Sequence, residues 1–99
     1  MKEKQLQNKI IKVLRERGGY CFKTHSGKYQ HPSRQGLPDI MCCYNGLFVA
    51  FEVKLPGRKP TRLQEYEMEK IGESGGIAMV ASDVESVIAR LKEIEAWGV

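Results

Sequence analysis

Nowhere in these 99 residues does an apolar run approach the roughly 18 residues needed to span a membrane. The N-terminus, MKEKQLQNKI, lacks the apolar stretch of a secretory signal. Neither a membrane partner nor an exported product is expected; the expected setting is cytoplasmic. Cysteines are few and odd in number: three, with Cys42 and Cys43 adjacent. That pattern argues against a disulfide framework and for a reducing compartment. No C-x2-C knuckle occurs, and Cys21, His25 and His31 supply only three of the four ligands of a structural zinc. Repeats, low-complexity tracts and linkers are absent, so residues 1–99 read as one domain. A chain this short buries only about 60–65% of its unfolded surface, so its core is modest and a dimer is expected.

Acid is also missing over a long stretch: none occurs from Arg17 to Pro38. The net charge of +4 hides an asymmetry. Residues 1–64 carry 13 Lys+Arg against 4 Asp+Glu, a balance of +9; residues 65–99 carry 3 against 8, a balance of −5. The first part is built to meet a polyanion, the second is a solvated scaffold. The four acids of the basic part are Glu3, Glu16, Asp39 and Glu52.

Periodicity predicts a helix over residues 2–17, with Leu6, Ile10, Val13 and Leu14 on one stripe and Gly18-Gly19 as its stop. A short strand follows at 20–24, then a polar loop, HSGKYQHPSRQGLP. Thr61 and Gln64 fit a capping box that opens a helix to about residue 73, with Leu63, Tyr66 and Ile71 inward. Ile77–Ala81 reads as a buried strand, and Ser82 and Glu85 as a second capping box before a last helix with Val84, Val87, Ile88 and Leu91 inward. The order is α-β-β-β-α-β-α. A helical crossover makes the last strand a parallel neighbour of an earlier one, giving a mixed central sheet flanked by helices.

The centre of this pattern is a hairpin, residues 39–44 and 47–55, around Asn45-Gly46. Asn-Gly between apolar runs calls for a two-residue type I′ turn, which needs φ > 0 at both positions. That turn fixes the register: Tyr44 faces Leu47, Cys43 faces Phe48, Met41 faces Ala50, and Asp39 faces Glu52. Two carboxylates then stand with Cβ atoms roughly 5 Å apart, a destabilising pair unless a cation joins them. Lys54 shares their face because side chains alternate along a strand. Hard oxygen ligands without sulfur or imidazole suit Mg²⁺ or Mn²⁺, commonly held by one or two carboxylates and a substrate phosphate. E-x-K alone is a weak pattern, and its bland reading is a solvated strand end with scattered charge. The shared register, the common face and the flanking basic loops favour the metal site.

Gly36-Leu37-Pro38-Asp39 followed by Glu52-Val53-Lys54 resembles the PD-(D/E)xK nucleases, and the fuller pattern is similar to the VRR-NUC branch, the virus-type replication and repair nucleases. Glu3 at the start of the first helix, the Gly-Gly after it, Ser26-Gly27, and Gln64 early in the next helix complete that pattern over nearly the whole chain. The resemblance implies a restriction-endonuclease-like α/β fold and Mg²⁺- or Mn²⁺-dependent cleavage of DNA, often at branched structures. It implies a small stand-alone phage type that forms homodimers, acting in the bacterial host's cytoplasm in replication, recombination or repair. Carried over by residue, it makes Asp39, Glu52 and the Val53 carbonyl metal ligands, with Glu3 reaching the ion directly or through water. It makes Lys54 the catalytic lysine and has Gln64 support Lys54 or a substrate phosphate.

The supporting residues have plainer readings too. Glu3 complements a helix dipole and Gln64 completes a cap. Ser26 is an ordinary turn residue, Tyr29 either stacks on a base or anchors the loop, and Cys42 and Cys43 are small sheet residues. Lys23, Lys28, Arg34, Arg58, Lys59 and Arg62 are surface charges or, given the acid-free segments that hold them, phosphate contacts. Two rivals to a nuclease follow: a non-catalytic nucleic-acid-binding module, and an accessory subunit that works only inside a replication complex.

Overall fold

A computed structural model describes residues 1–24 and 35–97. Its elements are α1 (Glu3–Glu16), β1 (Tyr20–Lys23), β2 (Ile40–Tyr44), β3 (Leu47–Val53), α2 (Arg62–Glu73), β4 (Ile77–Ala81) and α3 (Val84–Ala96). The four strands form one sheet in the order β1-β2-β3-β4, antiparallel except for the parallel β3–β4 pair. The α-β-β-β-α-β-α order and the mixed sheet are those expected.

The hairpin turn is the two-residue type, with φ of 54° at Asn45 and 81° at Gly46. Tyr44 pairs with Leu47, Cys43 with Phe48, Met41 with Ala50 and Ile40 with Phe51. One face of the sheet is core: Ile40, Cys42 and Tyr44 of β2 and Val49, Phe51 and Val53 of β3 are buried against α1 and α3. Fully burying such a side chain contributes about 1.5–3 kcal/mol. A cluster of this size can therefore hold an unfavourable polar feature elsewhere in the sheet.

Three local expectations are corrected. The stripe of α1 buries Leu6, Ile10, Ile11 and Leu14, whereas Val13 is only partly covered. Ile11 is covered as well because it lies on the β1 side of α1, beside Phe22 and Lys23. Helix α2 has no buried residue: Leu63 and Tyr66 are about half exposed, and only Ile71 of the three expected residues tucks in, beside Gly76. The cap of α3 is Asp83, not Ser82; its Oδ1 accepts the Ser86 N–H at 2.7 Å. The Thr61 cap is as expected, with Gln64 N–H donating to Thr61 Oγ1 at 3.2 Å and Thr61 N–H to Gln64 Oε1 at 2.8 Å.

Candidate metal centre

Asp39 and Glu52 occupy the next step of the β2–β3 register beyond Ile40 and Phe51. Hydrogen-bonded and non-hydrogen-bonded pairs alternate along an antiparallel ladder, and the tight turn makes Tyr44–Leu47 a bonded pair. Counting from there, Asp39 and Glu52 form a non-bonded pair, the kind whose side chains come closest. Asp39 lies just outside β2, yet both its backbone and side chain are held. Thr24 N–H donates to Asp39 O at 2.9 Å, and Val53 N–H donates to Asp39 Oδ2 at 2.8 Å. Thr24 Oγ1 also donates to the carbonyl of the buried Pro38 at 2.6 Å. Thr24 is thus a positioning residue absent from the sequence reading. No turn signal gives the β1–β2 register, so nothing in the chain pairs Thr24 with Asp39.

Gly36 explains the first letter of G-L-P-D. Its φ is +84°, and a Cβ there would lie 2.6 Å from Leu63 Cγ and 2.9 Å from the Leu63 carbonyl oxygen. The chain enters the site by passing directly against the start of α2, and only glycine fits.

Glu52 is 1% exposed, the sole buried charged residue among those described. Its Oε2 lies 3.7 Å from Lys54 Nζ, whereas Oε1 is buried with no hydrogen-bond partner. Burial, then the neighbouring Asp39, push the Glu52 carboxyl up to about 8; Lys54 pulls the other way, and Glu3 adds a smaller upward push. Desolvation and like charge thus outweigh the lysine. A buried carboxylate oxygen without a partner costs free energy unless something supplies positive charge. The donor set therefore fits a hard divalent cation: two carboxylates side by side, one with an orphaned oxygen. No group of three or more Asp, Glu, His or Cys side chains converges on one point among the described residues. The side-chain donors are thus the Asp39–Glu52 pair, with Glu3 at a greater remove.

The remaining candidates scatter. Gln64 spends its side-chain oxygen on the Thr61 cap. Lys23 donates to Asn8 Oδ1 on α1. Arg58, Lys59 and Arg62 are exposed between β3 and the first turn of α2. Ser26, Lys28 and Arg34 lie outside the described residues, as do His25, Tyr29 and His31. Cys42 is core, its thiol pushed up to about 12 by burial and by Cys21, which stands opposite it on β1. Cys43, on the other face, is exposed.

The fold is that of the VRR-NUC domain, restriction-endonuclease-like in its mixed sheet and flanking helices. A solved "VRR_NUC domain" structure superposes with a TM-score of 0.72 at 23% identity, covering 91% of this chain and 94% of that one. A second, a "VRR_NUC domain protein", gives 0.71 at 18%, covering 94% and 87%. In sequence the chain is similar to "Putative nuclease p44" of Acyrthosiphon pisum secondary endosymbiont phage 1. The two are 29% identical over 91 residues, which span 89% of this chain and 92% of that protein. No family profile matches the sequence.

Proposed function

We propose that this chain is a small phage-type VRR-NUC nuclease, a divalent-metal-dependent deoxyribonuclease that hydrolyses phosphodiester bonds in DNA. The observation that carries this reading is the buried Glu52, with an orphaned oxygen, set against Asp39 and Lys54 on one sheet face. The name of the phage relative supports the reaction class. Asp39, Glu52 and the Val53 carbonyl would hold the ion, Mg²⁺ or Mn²⁺, with Glu3 reaching it directly or through water. Bound there, the ion supplies Lewis acidity toward a phosphate oxygen and acidifies water. Lys54, fixed by Glu52, places a compact positive charge where negative charge develops on phosphorus. Gln64 offers its amide nitrogen to the phosphate or to Lys54. Arg58, Lys59, Arg62 and Lys23, with Ser26, Lys28 and Arg34, contact flanking phosphates.

A homodimer presents two such sites and suits cleavage of two strands in a branched or junction DNA, during phage replication, recombination or repair in the host cytoplasm. Tyr20, Cys43 and Phe48 support it: these register partners across three strands are all exposed on the sheet face away from α1, with Phe22 alongside. The test is a panel of linear, nicked, flap and four-way-junction DNAs with Mg²⁺, Mn²⁺ or EDTA. Cleavage is expected with either metal, strongest on branched DNA, and none in EDTA. Binding of every DNA with cleavage of none would instead identify a non-catalytic module. Cleavage only after adding replication proteins would identify an accessory subunit.

A further inference from the structure

A groove of about 660 Å³ runs between α1 and the outer edge of β1, away from the carboxylates. Asn8, Lys12, Arg15 and Lys23 line it, over Ile11 and Phe22, and Glu16 stands at its far end. Helix α1 runs antiparallel to β1. Asn8 meets Lys23, and one to two turns on, Arg15 Nη2 donates to the Cys21 carbonyl at 3.2 Å. The strand register explains that second contact. The Thr24 N–H to Asp39 bond marks a bonded pair, so Lys23 and Cys21 turn their N–H and C=O groups away from β2. The edge of β1 therefore presents amide donors to the groove, and Arg15 takes its Cys21 carbonyl.

We propose that this groove is a second nucleic-acid site, one that holds the phosphodiester backbone of the DNA arm leaving the carboxylate centre, without regard to base sequence. The proposal rests on the nuclease reading for where that arm begins. Glu3 stands near Glu52, and Arg15 lies twelve residues further along α1, about 18 Å at 1.5 Å per residue. At 3.4 Å per step that is about five nucleotides of one strand. Lys12, Arg15, Lys23 and the β1 amides provide the donors that phosphate contacts use. Glu16 ends the run by charge repulsion. Arg15 also occupies an edge carbonyl, which disfavours a second strand adding to β1 and leaves the groove to a polyanion.

The test is DNA binding in EDTA, where cleavage is off, by fluorescence anisotropy across a salt series. Two duplexes are compared, with arms of about two and about eight base pairs beyond the cleavage position. Lys12 is the residue to change, because it is exposed on α1 and Arg15 has a structural contact. Lys12→Gln is expected to weaken binding of the long arm about five- to ten-fold at 0.1 M salt and to flatten the log–log salt slope by about 1. It should leave the short arm unchanged, and Lys12→Arg should restore affinity. Lys92→Gln, on α3, serves as the control and should change neither. Equal affinity and slope for wild type and Lys12→Gln on the long arm overturn the proposal, as does a Lys12→Gln effect confined to self-association. Loss of the groove effect with cleavage intact refutes the groove alone. A retained groove effect in a protein that cleaves nothing refutes the nuclease reading alone.

Discussion

Glu52 concentrates the cost of the site in one side chain. Burial and the neighbouring Asp39 push its carboxyl from an ordinary 4.5 up to about 8. Between those values the folded state binds more protons than the unfolded state, so the stability of the metal-free protein falls as pH rises from about 4.5 to 8. Glu52→Gln keeps the shape and removes the charge. It is expected to raise metal-free stability at pH 8 and to flatten the pH trend, as read from urea midpoints in EDTA at pH 5 and pH 8. Identical trends for wild type and variant would show that Glu52 is not the strained group. Mg²⁺ should reverse the sign of the effect at pH 8 for the wild type alone, because it binds the ionised folded form. The sequence showed this residue's position but not its burial. An E-x-K triplet carries no sign that the folded sheet leaves this carboxylate only 1% exposed.

At the scale of elements, legibility followed the strength of local signals. Asn45-Gly46 fixed the hairpin and its register because that turn accepts few other residues. Both Gly-Gly pairs stopped helices because each supplies the positive φ that the cap needs: Gly18 and Gly19 return N–H bonds to Arg15 and Leu14, and Gly75 and Gly76 to Gly72 and Ile71. Two things were not legible. Periodicity placed Leu63 and Tyr66 on a stripe, but a period states direction and not depth, and α2 covers only part of its sheet face. Ser82 and Asp83 are both good caps by composition, and the backbone rather than the residue type chose Asp83. Because α2 fully buries no side chain, its caps carry an unusual share of its stability. Thr61→Ala is expected to lower stability by about 1 kcal/mol. The effect should concentrate in faster amide exchange across Arg62–Glu73, with α1 and the sheet unaffected. Equal exchange in the two proteins would mean that packing alone holds α2.

The whole molecule divides by charge and by surface. Its basic part, residues 1–64, holds the hairpin, the carboxylates and the groove along α1, and its acidic part supplies most of α2, with β4 and α3, as support. The exposed row of Tyr20, Cys43 and Phe48 crosses the sheet near the hairpin turn, at the end away from Asp39. A partner copy can therefore cover it and leave the site open. Sedimentation should show a dimer for the wild type and a monomer for Phe48→Glu, with the folded spectrum retained in both. A monomeric wild type would remove the two-site picture without touching the site itself. Asp39 and Glu52 are proposed here to hold a divalent ion for DNA hydrolysis. The most direct test of that role is the cleavage rate of wild type and Glu52→Gln on the same branched DNA in Mg²⁺, with folding of both verified. Loss of even an outer partner of a metal site commonly costs 10–100-fold, so losing this ligand should cost at least about a hundredfold. Cleavage by Glu52→Gln at the wild-type rate would contradict the account.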